Sequence, residues 1–205
     1  MKQIFFESIP DMSKSVIKGR VTQTRRVVLL SGVTDMSAKV TLSTDKKGRC
    51  ILQYNNESSI YTDFNIGDTL AVGQSYRTCY EEVLETVKDK ALKESLREFT
   101  AFISQDSVPF KSARHHLRIR NIRLERMQDI SEKDCLASGI HPVFKDSDDG
   151  DVFCGYTYSQ AMFVEPYHIY ATSLEAYKAL VCINKGQNMW QRNPYVVVYD
   201  FELID

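Results

Sequence analysis

Apolar positions recur along the chain with two different periods, and the switches between them mark out the elements. Ile4-Phe5-Phe6 predicts a short first strand. Met12, Val16 and Ile17 recur at helical spacing behind Pro10, and Gly19 follows as a C-terminal cap, so Pro10 to Lys18 predicts a first helix. Val27-Val28-Leu29-Leu30 predicts a buried strand. Between helix and strand lies Gly19-Arg20-Val21-Thr22-Gln23-Thr24-Arg25-Arg26, with Thr22 to Arg26 expected at the handover. Ala38 to Ser43 and Arg49 to Tyr54 flank Asp45-Lys46-Lys47-Gly48 and predict a hairpin. Gly67-Asp68 is a turn feeding a strand, with Leu70 and Val72 on one face.

The period then changes. Leu84, Val87, Ala91, Leu92, Leu96, Phe99 and Ile103 form one apolar stripe, predicting a peripheral helix over Glu81 to Ile103. Leu117 and Ile119 alternate with Arg118 and Arg120, after which Ile122 and Leu124 continue one residue out of phase. An extra residue near Asn121 predicts a β-bulge. Capping boxes at Ser131 and at Thr172 with Glu175 open two helices, stopping at Gly139 and by Gly186. Tyr195, Val197, Tyr199, Phe201 and Leu203 alternate through the C-terminal strand, which is expected to be internal. Separated strands with interposed helices predict an α+β domain: a mixed sheet or small barrel carrying helices.

Composition narrows the chemistry. At 205 residues, 43% hydrophobic and 26% charged, the chain is long enough for one sizeable core. No apolar run is long enough to span a membrane. Five scattered cysteines match neither a zinc knuckle nor a disulfide framework, so reduced thiols and a cytoplasmic location are expected. A net charge of −1 excludes wholesale coating of nucleic acid and leaves only a local patch, for which Lys111 to Arg126 is the most basic stretch. His115 and His116 are neighbours on a strand and point to opposite faces, which makes them surface positions beside that patch rather than metal ligands. The acidic loop from Asp146 to Asp151 misses the calcium-loop template, and no metal or cofactor is expected.

The Thr-Gln-Thr-Arg-Arg segment offers hydroxyls, an amide and guanidiniums suited to an anionic or nucleotide-like ligand. The alternative is a solvated turn, or arginines that brace the Gln128-Asp129-Ile130 segment through Asp129.

Three segments in order resemble the ASCH group of the PUA-like superfamily, particularly its phage- and prophage-associated members. They are Gly19 to Arg26, Leu124-Glu125-Arg126-Met127-Gln128-Asp129-Ile130-Ser131-Glu132, and Trp190-Gln191-Arg192-Asn193-Pro194-Tyr195-Val196-Val197-Val198. Gly67-Asp68 with Leu70 and Val72 matches the family's Gly-Asp strand. The resemblance implies a single PUA-like small β-barrel with flanking helices over 1–205, with insertions at about 80–108 and 141–170. It implies a cleft binding RNA or a modified nucleotide through Thr22, Gln23, Thr24, Arg25 and Arg26. Arg25, Arg26 and the Lys111 to Arg126 patch, with Arg118 and Arg120, would meet phosphates, while Thr22, Gln23 and Thr24 would read polar edges. Trp190 or Tyr195 would stack on a base, and Asn193 would also contact the ligand. One bacterial branch hydrolyses acetylated cytidine with a lysine, a threonine and a glutamate. Here the threonine falls on Thr24, but the lysine falls on Val21 and the glutamate on Ser138. The expected function is therefore binding. The alternatives are an amidohydrolase whose partners have moved (to Lys18, Glu7 or Glu132, for example) and a protein-interaction accessory factor.

Overall fold

The computed structural model describes residues 2–6, 12–28, 39–55, 58–99, 102–147, 150–158 and 168–205. Ten strands and six helices occupy these residues. The strands are β1 (Lys2–Ile4), β2 (Gln23–Val27), β3 (Val40–Thr44), β4 (Cys50–Tyr54), β5 (Ser58–Tyr61), β6 (Thr69–Val72), β7 (His116–Arg126), β8 (Ile140–Lys145), β9 (Val152–Tyr158) and β10 (Tyr195–Leu203). The helices are α1 (Met12–Ile17), α2 (Tyr76–Thr86), α3 (Lys90–Phe99), α4 (Glu132–Ala137), α5 (Ser173–Lys185) and α6 (Gln187–Arg192). The class is α+β, as the mixed periods predict.

The main sheet runs β1-β6-β7-β10-β2, parallel between β1 and β6 and antiparallel elsewhere. A second sheet, β3-β4-β5, and a hairpin, β8-β9, complete the strands. The strand β10 is interior, as its alternation predicts. Val196 to Tyr199 are buried without interruption, because both faces of this strand are covered. One apolar cluster joins Leu70, Leu117, Ile119 and Val198 of the main sheet to Val40 and Leu52 of the second sheet, and to Val16, Tyr177 and Leu180 of the helices.

The bulge lies where the phase of the sequence slips. Asp200 pairs with Asn121 and Phe201 with Ile119, which leaves Arg120 as the extra residue on β7. Buried positions accordingly run Leu117, Ile119 and then Ile122. Ser131 caps α4 by accepting from the Asp134 amide, and Thr172 with Glu175 makes a reciprocal capping box on α5. At Gly19, φ of +68° lets α1 terminate, its amide donating to the Val16 carbonyl at 2.9 Å.

Two expectations change. The stretch expected at a handover is itself a strand: β2 opens at Gln23, and the ladder to β10 forms through the arginines. Leu29, Leu30, Ala38, Asp148 and Asp149 lie outside the described residues. The long helix expected over Glu81 to Ile103 is two helices, because local caps override a shared stripe. Ser75 opens α2 by accepting from the Thr78 amide at 3.1 Å. Asp89 restarts the helix as α3, accepting from the Leu92 amide at 2.9 Å. Leu84 is buried, whereas α3 buries no residue at all and leaves Leu92 and Phe99 about half exposed. Among the described residues no helix is long and apolar enough to cross a membrane.

Burial sets the expected ranking of mutational cost. Leu70→Ala, at a fully buried position, should lower unfolding free energy by about 2–5 kcal/mol in urea denaturation. Leu92→Ala on α3 should stay within about 0.5 kcal/mol of wild type. Equal losses at the two positions would contradict this layering.

Candidate functional site

The strand β2 is the last in its sheet among the described residues, and a cavity of about 330 Å³ borders it. Phe5, Phe6, Met12, Val21, Tyr177 and Met189 give it apolar walls. Gln23, Thr24, Arg25, Arg26, Asp63 and Ser138 give it a polar side, with Lys185 also at its rim. The two residues after β1 and residues of α1, β2, α5 and α6 thus meet at one place.

Beneath the polar side lies an ion and hydrogen-bond network. The Arg25 side chain is only 2% exposed; its Nη2 donates to Glu125 at 2.6 Å and lies 3.4 Å from Asp134. Arg123 donates to Glu125 at 2.5 Å, Asp134 at 2.7 Å and Asp200 at 3.1 Å. Gln23 is the hub. Its Nε2 donates to Asp134 and to Asp200, both at 2.8 Å, while its Oε1 accepts from Arg25 Nε at 3.1 Å and from Ser138 Oγ at 3.2 Å. These four bonds use the whole capacity of an amide. Gln23 is therefore a positioning residue and has nothing left to offer a ligand.

Burial pushes the Asp134 carboxyl upward, but hydrogen bonds from Gln23 and Ser131 and the Arg123 charge outweigh it and hold the group below its ordinary value. Burial pushes the Tyr177 phenol up to about 12, so it stays protonated at neutral pH. On the other face of β2, Arg26 pairs with Asp63 at 3.0 Å and stacks over Phe64, 5.0 Å from the ring centroid. Neither arginine braces Asp129. The bracing expected of them exists, but through Glu125, Asp134 and Asp63.

Of the residues singled out in the sequence, Gln23, Thr24, Arg25 and Arg26 line the cavity, and so do Val21 and Ser138. Thr22 does not. It is exposed, and its backbone is stitched to Ala137 and Phe201. Arg118 and Arg120 are exposed on β7 away from the lining, Arg120 pairing with Glu202 at 2.5 Å. Trp190 is half-buried and meets the cavity-lining Tyr177 edge to face, with centroids 6.3 Å apart. Asn193 adopts the left-handed conformation that ends α6, and its Oδ1 accepts from the Gln128 amide at 2.9 Å.

The basic stretch is largely spent on internal pairing. Arg123 enters the network, and Arg126 stacks 3.8 Å over Tyr195. His115 is partly buried and is clamped between Glu82 at 2.6 Å and Asp205 at 2.7 Å. Lys18 pairs with Glu85 at 3.4 Å, and Glu132 accepts from the Tyr156 hydroxyl at 2.6 Å; neither lines the cavity. Glu7 lies outside the described residues. Phe6, Asp63, Tyr177, Lys185 and Met189 were not singled out as site residues, since nothing in their local sequence separates a cavity wall from core. No family model, curated protein or solved structure matches the chain significantly.

The lowered Asp134 acidity fixes a pH dependence. The unfolded carboxyl titrates at about pH 3.9 and the folded one lower, so in that acid range unfolding takes up protons. Its stabilisation is complete above about pH 5 and is lost as the pH falls through the folded value. Urea midpoints measured from pH 7 downward should drop at the acid end. Asp134→Asn should lower the pH 7 midpoint and flatten that drop; an unchanged acid limb would contradict the assignment.

Proposed function

We propose that this chain is an ASCH-type, PUA-like binding module whose cavity takes a nucleoside or a single nucleotide of an RNA. One observation carries the reading. Of the positions matched by resemblance to the catalytic trio, Val21 and Thr24 share one segment while Ser138 is more than a hundred residues away, yet all three line the same cavity. Its volume, about 330 Å³, lies at the lower end of the range for small-ligand sites, and its apolar walls with a few polar groups fit a planar heterocycle. In this reading the main sheet and β3-β4-β5 close on each other as the small barrel, and the shared apolar cluster containing Val40, Cys50 and Leu52 supports that closure.

Binding without hydrolysis is the better fit, because Val21 and Ser138 supply neither an amine nor a carboxylate beside Thr24. A threonine hydroxyl needs a base to become a nucleophile. The second reading, an amidohydrolase with relocated partners, is favoured by one observation: the Lys185 amine and the Asp63 carboxylate share the cavity with Thr24. Turnover of acetylated cytidine that Thr24→Ala abolishes would establish it.

Trp190, the only tryptophan, sits against the cavity wall and offers a direct readout. Titration with nucleosides and short RNA should change its fluorescence saturably. Thr24→Phe, which fills the cavity, should weaken binding by about tenfold or more, the equivalent of about 1.4 kcal/mol. Arg118→Ala should leave it within about twofold for nucleosides and reduce only the salt slope for RNA, by about one phosphate. The opposite pattern, binding lost with Arg118 and kept with a filled cavity, would move the site to the surface of β7.

A further inference from the structure

We infer that Arg25 is a specificity-determining residue that reads a neutral carbonyl oxygen on a planar heterocycle, and that this end of the cavity does not bind phosphate. The inference rests on the cavity being the ligand site, as proposed above. The guanidinium of Arg25 has five N–H donors in a fixed plane. Nε goes to Gln23, and Nη2 goes to Glu125 and Asp134. Among the described residues Nη1 is buried and has no partner; its side chain is only 2% exposed, and Arg25 is one of the residues that line the cavity. A buried charged donor left unpaired is costly, and its natural complement is a ligand acceptor.

Charge decides which acceptor. The network that holds this guanidinium sets two cations, Arg25 and Arg123, against three carboxylates, Glu125, Asp134 and Asp200. A phosphate dianion placed there would meet net negative charge, whereas a keto oxygen accepts the hydrogen bond without adding any. The backbone completes the match. The Val28 amide donates to the Tyr195 carbonyl, and the Phe201 amide donates to Thr22, so the even-numbered residues of β2 bond to β10. The N–H and C=O groups of Gln23, Arg25 and Val27 therefore turn to the outer edge of the strand, and all three residues line the cavity. A heterocycle carrying a keto oxygen beside a ring N–H presents the complementary pattern, and Phe6 and Tyr177 supply apolar surface for its faces.

The test is calorimetric titration of the full chain with inosine, uridine and adenosine, with inorganic phosphate as competitor, in wild type and Arg25→Lys. Lysine keeps a cation for Glu125 but removes the planar third arm. Wild type should favour inosine and uridine over adenosine by about tenfold or more, the size of one charged hydrogen bond, with phosphate not competing. Arg25→Lys should abolish most of that preference while retaining cooperative unfolding. Binding without a keto preference, or displacement by phosphate, overturns this inference alone. So does a preference unchanged in Arg25→Lys. If that variant does not fold, the wild-type ratio of inosine to adenosine still decides. Failure of all three nucleosides to bind overturns the cavity reading itself, and this inference with it.

Discussion

The arrangement depends on one buried amide, Gln23, and the guanidinium beside it, Arg25. An edge strand is held by hydrogen bonds on one side only, and among the described residues β2 is such a strand. Its side chains make up the difference. Gln23 reaches Asp200 on β10 and Asp134 on α4, and Arg25 reaches Glu125 on β7. Three elements are thus tied to the strand by charge-assisted bonds that have little water to compete with them. Removing one partner of such a buried pair typically costs about 3–5 kcal/mol, because the remaining charge is stranded. The same bonds orient Arg25 so that its two engaged nitrogens face the protein and the third is left over. Anchoring the strand and shaping the cavity are one piece of chemistry.

Much of the fold was legible because it is encoded locally. The alternation through Tyr195 to Leu203, the caps at Ser131 and Thr172, and the phase slip around Arg120 all depend on neighbours in sequence. Each survives in the structure. The failure at Glu81 to Ile103 was local too. Asp89 carries a capping signal, but the apolar stripe continues on both sides of it and masks that single residue. The third strand of the second sheet, β5, went unread because Ser58-Ser59-Ile60-Tyr61 has no buried face to give it a period.

The site was legible in part. The Thr-Gln-Thr-Arg-Arg segment stands out by composition and by resemblance, and four of its five residues do border the cavity. Their separate roles were not readable. Whether Gln23 faces a ligand or saturates itself on Asp134 and Asp200 depends on residues more than a hundred positions away. The same holds for the basic stretch: Arg123, Arg126 and His115 look like a patch in sequence, yet their partners Asp200, Tyr195 and Asp205 come from the last strand and the residues after it. Charge along a chain is countable. Which charges are spent on one another is decided only by tertiary pairing.

The central claim, that one buried arginine both anchors β2 and meets the ligand, is tested most directly by side-chain NMR of the arginines. With the arginine guanidinium nitrogens labelled, Arg25 should give slowly exchanging signals in the free protein, as a side chain 2% exposed requires. Addition of uridine or inosine should shift those signals saturably while leaving Arg118 and Arg120 in place. Ligand-dependent shifts at Arg118 and Arg120 with Arg25 unmoved would contradict the account.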